Sequence, residues 1–465
     1  MKLTPISWLA VLPLALAACV GAPPAQVALP SPAQWNTPLP HNGSVTSLNN
    51  WWRQQGDPLL VQLVDAAQAA SPTIAQAGAR IARSRAQRAA AGAALLPSLD
   101  LGVGASRSNQ QSTLPGGTLV QAQLQSGWEI DVFGGRRADR SAAQARLAGD
   151  TAAWHDARVA VAAEVGTQYY NLRSCEQLLA VAKLDAASRA DTARLTKLTA
   201  DAGFQAPATA ALARASAAEA NSRATFQQAL CDIDIKTLVA LTAFEEPALR
   251  VKLAASPAVP APALAIASLP AQVLAQRPDV FAAEREVAAA SADVGSAQAA
   301  RYPRLSLSGA IGVANFRSGG ENLRSDTWTI GPLAVSLPLF DAGRRSANVE
   351  AARARYQAAV IAYRASARRA VSEVEQALVN LNASASRSND AQVSLEGYRA
   401  AFVAAEDRYK NGLGSLLELE DARRTRLAAE NAVVTLQRER SNAWIALYRA
   451  AGGGWTPAAI TSNSN

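Results

Sequence analysis

Two kinds of hydrophobic pattern alternate along this chain. In Val120-Gln121-Ala122-Gln123-Leu124-Gln125 apolar and polar residues alternate without a fault, and the pattern runs on through Val132. Alternation of that length gives a strand with one apolar and one polar face. A partner strand is expected at about 98–108, with a polar Gly/Pro loop, Asn109 to Thr118, between the two. A second pair is expected at about 304–316 and 327–340, turned by Ser318-Gly319-Gly320-Glu321-Asn322. After each pair comes a long proline-free stretch, 136–202 and 344–411. At 1.5 Å per residue each would make a helix roughly 100 Å long, against about 11 residues for an ordinary helix. A helix of that length needs lateral partners throughout. Each stretch runs to a glycine, Gly203 or Gly412, suited to a helix C-cap, and reverses into a second helix at about 208–243 or 415–450. Shorter helices lead in at 57–70, 73–95 and 278–301.

The two halves are copies. Pro97-Ser98-Leu99 answers Pro303-Arg304-Leu305, Trp128 to Phe133 answers Val335 to Phe340, and Gly135-Arg136-Arg137 answers Gly343-Arg344-Arg345. Asn171-Leu172 answers Asn380-Leu381, and Gly203 answers Gly412, with offsets drifting only from 206 to 209. One register held across five landmarks indicates an internal duplication.

Composition narrows the class. Aromatic residues are only 5% of the chain, and alanine is abundant, which suits close-packed helices better than a bulky globular core. The formal charge of +8 comes from Arg scattered among Asp and Glu rather than gathered beside aromatics, so a nucleic-acid partner is not indicated. The two histidines, His41 and His155, have no metal-spaced or nucleophilic companions, and no Gly-rich phosphate loop is present. Neither an enzyme nor a cofactor is expected, and no metal site.

The start of the chain reads as a secretory signal. Met1-Lys2 is followed by an apolar run, Ile6 to Ala18, too short for a permanent span. Leu16-Ala17-Ala18-Cys19 resembles a bacterial lipobox, which implies cleavage before Cys19 and acylation of its amino group and thiol. No stretch after residue 19 is apolar for long enough to make a second membrane helix. Two cysteines remain, Cys175 and Cys231, lying 28 residues before and 28 after Gly203. In an antiparallel hairpin turning there they stand at one height, about 42 Å from the tip. A disulfide between them is expected in an oxidising compartment.

Four alternating strands cannot close into a barrel, and lipid tolerates strands only in closed barrels. The helices exceed an apolar core about 30 Å thick and must project into water. Several chains are therefore expected to pool their strands.

The sequence here resembles the TolC-like outer membrane efflux proteins, in particular their lipoprotein branch. The resemblance covers residues 19 to 455 and is most specific at Leu274-Ala275-Gln276-Arg277-Pro278-Asp279-Val280, Ala283-Glu284 and Tyr302-Pro303-Arg304-Leu305-Ser306-Leu307. Trp51-Trp52-Arg53 with Gly56-Asp57-Pro58-Leu59-Leu60 is also typical of the branch. The resemblance implies an α+β fold and a homotrimer in the outer membrane. Four strands per chain would make a twelve-stranded β-barrel, continued by a periplasmic α-helical barrel with an equatorial domain. It implies an exit duct for small molecules, working with a periplasmic adaptor protein and an inner membrane transporter.

The corresponding division of the chain is a signal peptide at 1–18, an anchored segment at 19–56, repeats at 57–247 and 271–451, an extended linker at 248–270 and a tail at 452–465. The second hairpin turn, Tyr409 to Arg424, is similar to the family's aperture turn. Carried over position by position, Glu418 and Asp421 would face the pore and Arg424 would pair with an acid. Leu417 would stand at an apolar constriction, and Tyr409 would brace the tip. These acids also suit an ordinary first helical turn. The first turn has no matching acid, since Leu212 aligns with Asp421. A type I secretion duct, a metal-ion efflux duct and, remotely, a lipid-anchored trimeric coiled coil stay open, as do the cargo and the transporter class.

Overall fold

The computed structural model describes residues 21–29, 32, 34–37, 51–54, 56–109, 116–256 and 270–456. Cys19, the signal segment, half of 19–56, residues 110–115 of the loop expected at 109–118, residues 257–269 of the linker and the tail after 456 lie outside them. The elements in chain order are α1 (Trp51–Gln54), α2 (Pro58–Ala70), α3 (Pro72–Ala93), β1 (Ser98–Ser108) and β2 (Gly117–Ile130). Then come α4 (Gly135–Asp201), α5 (Pro207–Thr242), α6 (Glu246–Ala255), α7 (Pro270–Ala275) and α8 (Pro278–Ala299). The last are β3 (Arg304–Ser318), β4 (Glu321–Ser336), α9 (Arg344–Lys410) and α10 (Leu416–Ala450). Helices α4 and α9 are each 67 residues long without a break. No described helix is long and apolar enough to cross a membrane.

The chain divides into two compact units, one built from 1–29, 77–153 and 279–366, the other from 30–76, 154–278 and 367–465. The first holds one antiparallel sheet in the order β1-β2-β3-β4. The second repeat's first strand thus pairs with the first repeat's last, and β1 and β4 are left as edges. The register stacks one row across all four strands: Leu101 opposite Leu124, Leu124 opposite Ile311, Ile311 opposite Trp328. Val103, Ala122 and Val313 form the next row, which ends in Asp326 on β4. All these large apolar side chains are exposed, so a continuous apolar face is turned outward from the chain. The opposite face carries Gln121, Gln123 and Gln125, aligned with Gly104, Gly102 and Asp100 and, through Gly312 and Ala310, with Thr327 and Thr329. Next to the turns this face ends in Leu119, Phe316 and Leu323.

Four boundaries differ from expectation. The β3–β4 turn is two residues, not five, because Gly319 (φ 56°) and Gly320 (φ 93°) both take the positive φ of the tightest hairpin turn. Glu321 and Asn322 are then paired strand residues opposite Ser318 and Arg317. β4 stops at Ser336, before Pro338, which has no N–H for the ladder. β2 stops at Ile130 because the next residue caps α4: the Asp131 carboxylate accepts the N–H groups of Arg136 (3.1 Å) and Arg137 (2.9 Å). The linker expected to be extended over 248–270 is helical at its start, where α6 runs to Ala255 with Leu249 and Leu253 buried.

Also in the first unit, helices approach closely at small residues. The position a Cβ would take at Gly149 lies 3.5 Å from the Ala282 carbonyl oxygen and the Arg285 Cβ. Arg146 bonds Asp293 at 2.5 Å beside it.

The second unit holds the aromatic core. Trp51 stacks on Tyr448 at 4.8 Å, and Trp52 meets the same ring edge-on at 5.2 Å. Gly166 is where α4 lets Trp52 in; a Cβ there would overlap the indole. Beneath it Asp57 caps α2 through the N–H of Leu59 (2.9 Å) and accepts the Tyr169 hydroxyl. The Arg173 guanidinium donates to the Tyr169 oxygen (3.0 Å), to Glu176 (2.8 Å) and to the carbonyls of Leu253 (3.2 Å) and Ser256 (2.7 Å). Burial, followed by the bond to Asp57, pushes the Tyr169 hydroxyl up to about 12. Arg277, from the most specific family segment, is buried and donates to Glu373 (2.7 Å) and the Ala450 carbonyl (3.0 Å). Gly452 (φ 82°) seats the chain against the Gln276 carbonyl, where a Cβ would overlap. That segment and the Gly-Gly-Gly after α10 are therefore two sides of one joint.

Candidate functional site

The site is built from the ends of the two helical hairpins in the second unit. Both turn by the same motif. The N–H of Gly203 bonds the Ala200 carbonyl (3.0 Å) and that of Phe204 the Thr199 carbonyl (2.9 Å), while Gly412 bonds Tyr409 (3.1 Å) and Leu413 bonds Arg408 (2.8 Å). This pairing closes a helix around a left-handed residue, and Gly203 and Gly412 have φ of 82° and 74°. The returning helices start differently. α5 begins at Pro207 with no side-chain cap, whereas Ser415 caps α10 in a reciprocal box with Glu418.

That box sets the position of Glu418. Its carboxylate accepts the Ser415 N–H (3.4 Å) and the Arg408 guanidinium (2.7 Å), so it is drawn back onto its own turn. Asp421 pairs with Arg424 one turn on, and both are exposed. Leu417 is 72% exposed. Tyr409 shares a hydrogen bond with the Thr196 hydroxyl (2.8 Å), tying α9 to α4. Glu418, Asp421, Arg424 and Leu417 are thus together at the surface of one tip, and Tyr409 bridges to the other hairpin.

A second cluster lies deeper, among residues the sequence did not single out. Arg189 on α4 donates to Asp185 (2.9 Å), to Ser216 on α5 (2.6 Å) and to Glu420 on α10. Ser216 also donates to Glu420 (2.9 Å). Arg423 donates to Glu420 (3.0 Å), Ser188 Oγ (3.0 Å) and Thr192 Oγ1 (2.7 Å). Asp185, Arg189 and Arg423 are buried, Arg423 to 1% exposure. Two acids and two arginines thus join α4, α5 and α10 where lone charges would be very costly. Glu420 is hard to place from the sequence because two of its three partners, Arg189 and Ser216, are more than 200 residues away. The only local signal was the pairing of acid and arginine at i,i+3 (Glu420, Arg423) and i,i+4 (Asp185, Arg189).

Further along the same hairpin, Cys175 and Cys231 are joined by a disulfide with their Cα atoms 5.5 Å apart. It ties α4 to α5 where the hairpin enters the aromatic core, since both cysteines belong to that core.

Comparison with known proteins agrees with this architecture. The chain is 31% identical over 461 residues to the pyoverdine export outer membrane protein OpmQ of Pseudomonas putida, covering 96% of each. It is 28% identical over 447 residues to the solvent efflux pump outer membrane protein SrpC of Pseudomonas putida, covering 93% and 94%. The solved outer-membrane channel OprN matches with a TM-score of 0.83 and 29% identity, over 94% of this chain and all of that one. The profile of the family described as outer membrane efflux protein matches residues 63–242 and 269–453, one block in each repeat. With both halves of its duplication inside that profile, this chain belongs to the outer membrane efflux protein family.

Proposed function

We propose that three copies of this chain pool their sheets into one twelve-stranded barrel and form the exit duct of a tripartite efflux pump for small molecules. The observation that carries this is the sheet itself. It has two open edges and a continuous apolar face, neither of which one chain can cover. Pairing β4 of one copy with β1 of the next satisfies both edges and closes the ring. The apolar face of β2 runs from Val120 to Ile130, about 34 Å along the strand. At a tilt of about 40° that gives a band about 25 Å high, the height of a lipid-facing girdle. The polar face, with its three glutamines, then lines the pore.

Under this reading residues 1–18 are removed and Cys19 carries the lipid. The repeats occupy 57–247 and 271–451, and the helical hairpins stand in the periplasm, where a periplasmic adaptor and an inner membrane transporter engage them. The tip is the gate. Asp421, with Leu417 beside it, faces the axis. Three copies of an exposed acid repel each other and attract cations, while Arg424 offsets each one. Glu418 contributes by holding the turn through its cap, and Tyr409 braces the second hairpin against the first.

Native mass spectrometry of the mature protein in detergent tests the assembly. A trimer of acylated chains is expected, and a monomer without a closed barrel would refute it. For the gate, Glu418→Ala combined with Asp421→Ala is expected to raise single-channel conductance in a planar bilayer. Unchanged conductance would remove these two residues from the gate.

A further inference from the structure

We propose that the turn-proximal end of the sheet's apolar face binds the phosphate groups of lipid A in the outer leaflet, through Arg107, Arg317 and Arg324. The inference rests on the barrel reading above, which puts the strand turns at the end away from the helices and hence outside the cell.

The register places the three arginines together. The outermost row on the apolar face is Arg107, Thr118, Arg317 and Asn322, one residue from each strand. The row inside it is Ala105, Val120, Asn315 and Arg324. The next is Val103, Ala122, Val313 and Asp326, and then comes the fully apolar row of Leu101, Leu124, Ile311 and Trp328. Within two rows the face passes from basic to apolar. At a strand spacing of about 4.8 Å the three arginines fall within about 15 Å of each other across the sheet.

All three are exposed, and none forms an ion pair among the described residues. One acid, Asp326, shares their face; Glu321 points to the opposite one. The edge of the apolar face therefore carries three positive charges against one negative. An exposed arginine in water needs no ligand. Here, however, the guanidinium stems continue an apolar band, so they can lie along acyl chains with the charged heads at headgroup level. A planar guanidinium suits a phosphate, because it offers paired N–H donors to two oxygens. Clustered charge of this sign at the water boundary selects anionic over zwitterionic headgroups. Lipid A supplies phosphate directly above acyl chains, as this arrangement of rows requires.

The test uses the full acylated chain in detergent and native mass spectrometry to count retained lipid, with lipid A and its dephosphorylated form as probes. Loss of one arginine is expected to weaken retention about fivefold. The variant with Arg107→Gln, Arg317→Gln and Arg324→Gln should therefore lose the preference for the phosphorylated form altogether. The corresponding three Arg→Lys changes should keep most of it. A heat-modifiable band on a denaturing gel confirms that each variant still has its barrel. Equal retention by the parent protein and the Gln variant, or no preference of the parent for phosphorylated lipid, would overturn the proposal. Displacement by millimolar inorganic phosphate would also overturn it, by showing a simple ion site.

Labelling of Glu321→Cys, beside the β3–β4 turn and on the face away from the arginines, in intact cells by a membrane-impermeant maleimide separates this from the underlying reading. Labelling there together with unchanged lipid retention by the Arg→Gln variant sinks only the lipid site, whereas absence of labelling sinks the orientation on which both depend.

Discussion

Replacing Glu420 by Gln is expected to loosen the hairpin tip far more than an exposed acid would. Glu420 is the only carboxylate bonded to Arg423 among the described residues, at 3.0 Å, and Arg423 is 1% exposed. Arg189 keeps Asp185 at 2.9 Å, but Arg423 is left with hydroxyl and carbonyl partners alone. Removing one partner of a buried pair costs about 3–5 kcal/mol. The Glu420 side chain is itself 17% exposed, so the lower end, about 3 kcal/mol, is the expected loss. That corresponds to about a 100-fold rise in local opening. Amide hydrogen exchange read by mass spectrometry should show it over residues 416–426 and 185–196. Peptides from the aromatic core around Tyr169 and Tyr170 should be unchanged. Glu439→Gln, which breaks an exposed pair with Arg387, should change exchange by the equivalent of less than about 1 kcal/mol. The cluster does not hold the hairpins together if Glu420→Gln and Glu439→Gln give the same exchange at 416–426.

The remaining predictions concern the supports behind the tip. Gly166→Ala should displace the Trp52 indole and lower stability by about 1–3 kcal/mol, read as a lower midpoint of thermal unfolding; an unaltered midpoint would mean Trp52 is not seated there. Reducing the Cys175–Cys231 bond, which closes a separation of 56 residues, should cost up to about 4 kcal/mol, measured as the shift in denaturant midpoint between oxidised and reduced protein. Alkaline stability should carry the signature of Tyr169. Its hydroxyl is raised to about 12 in the folded protein, so the stability it confers is complete below about 10, the unfolded value, and is lost as pH rises through the folded one. Tyr169→Phe should therefore flatten the fall in stability between those two values, and an unchanged slope would rule Tyr169 out as its source.

Much of the fold is written locally. The faultless alternation at 120–125 fixes a strand with two unlike faces, and the proline-free runs ending at Gly203 and Gly412 fix two long hairpins. Each of these depends only on near neighbours and backbone preference. The hairpin also made the Cys175–Cys231 pairing legible, because a symmetric turn converts sequence distance into height. Smaller boundaries were missed where one side chain overrode the pattern. Asp131 ended β2 by capping α4, and the positive φ of Gly319 and Gly320 shortened a turn that composition alone made longer.

What the sequence by itself determined, then, is the set of elements and the kind of surface each presents. Only the tertiary structure decided that β2 pairs with β3, that Arg107, Arg317 and Arg324 share an edge, that Arg408 on α9 draws in Glu418 on α10, and that the buried Arg189 on α4 takes Glu420 on α10 as its partner. Each of these is a meeting of residues from different elements, most of them far apart in the chain. No local periodicity encodes such a meeting; it is settled when the elements pack and each buried charge must find its counter-charge.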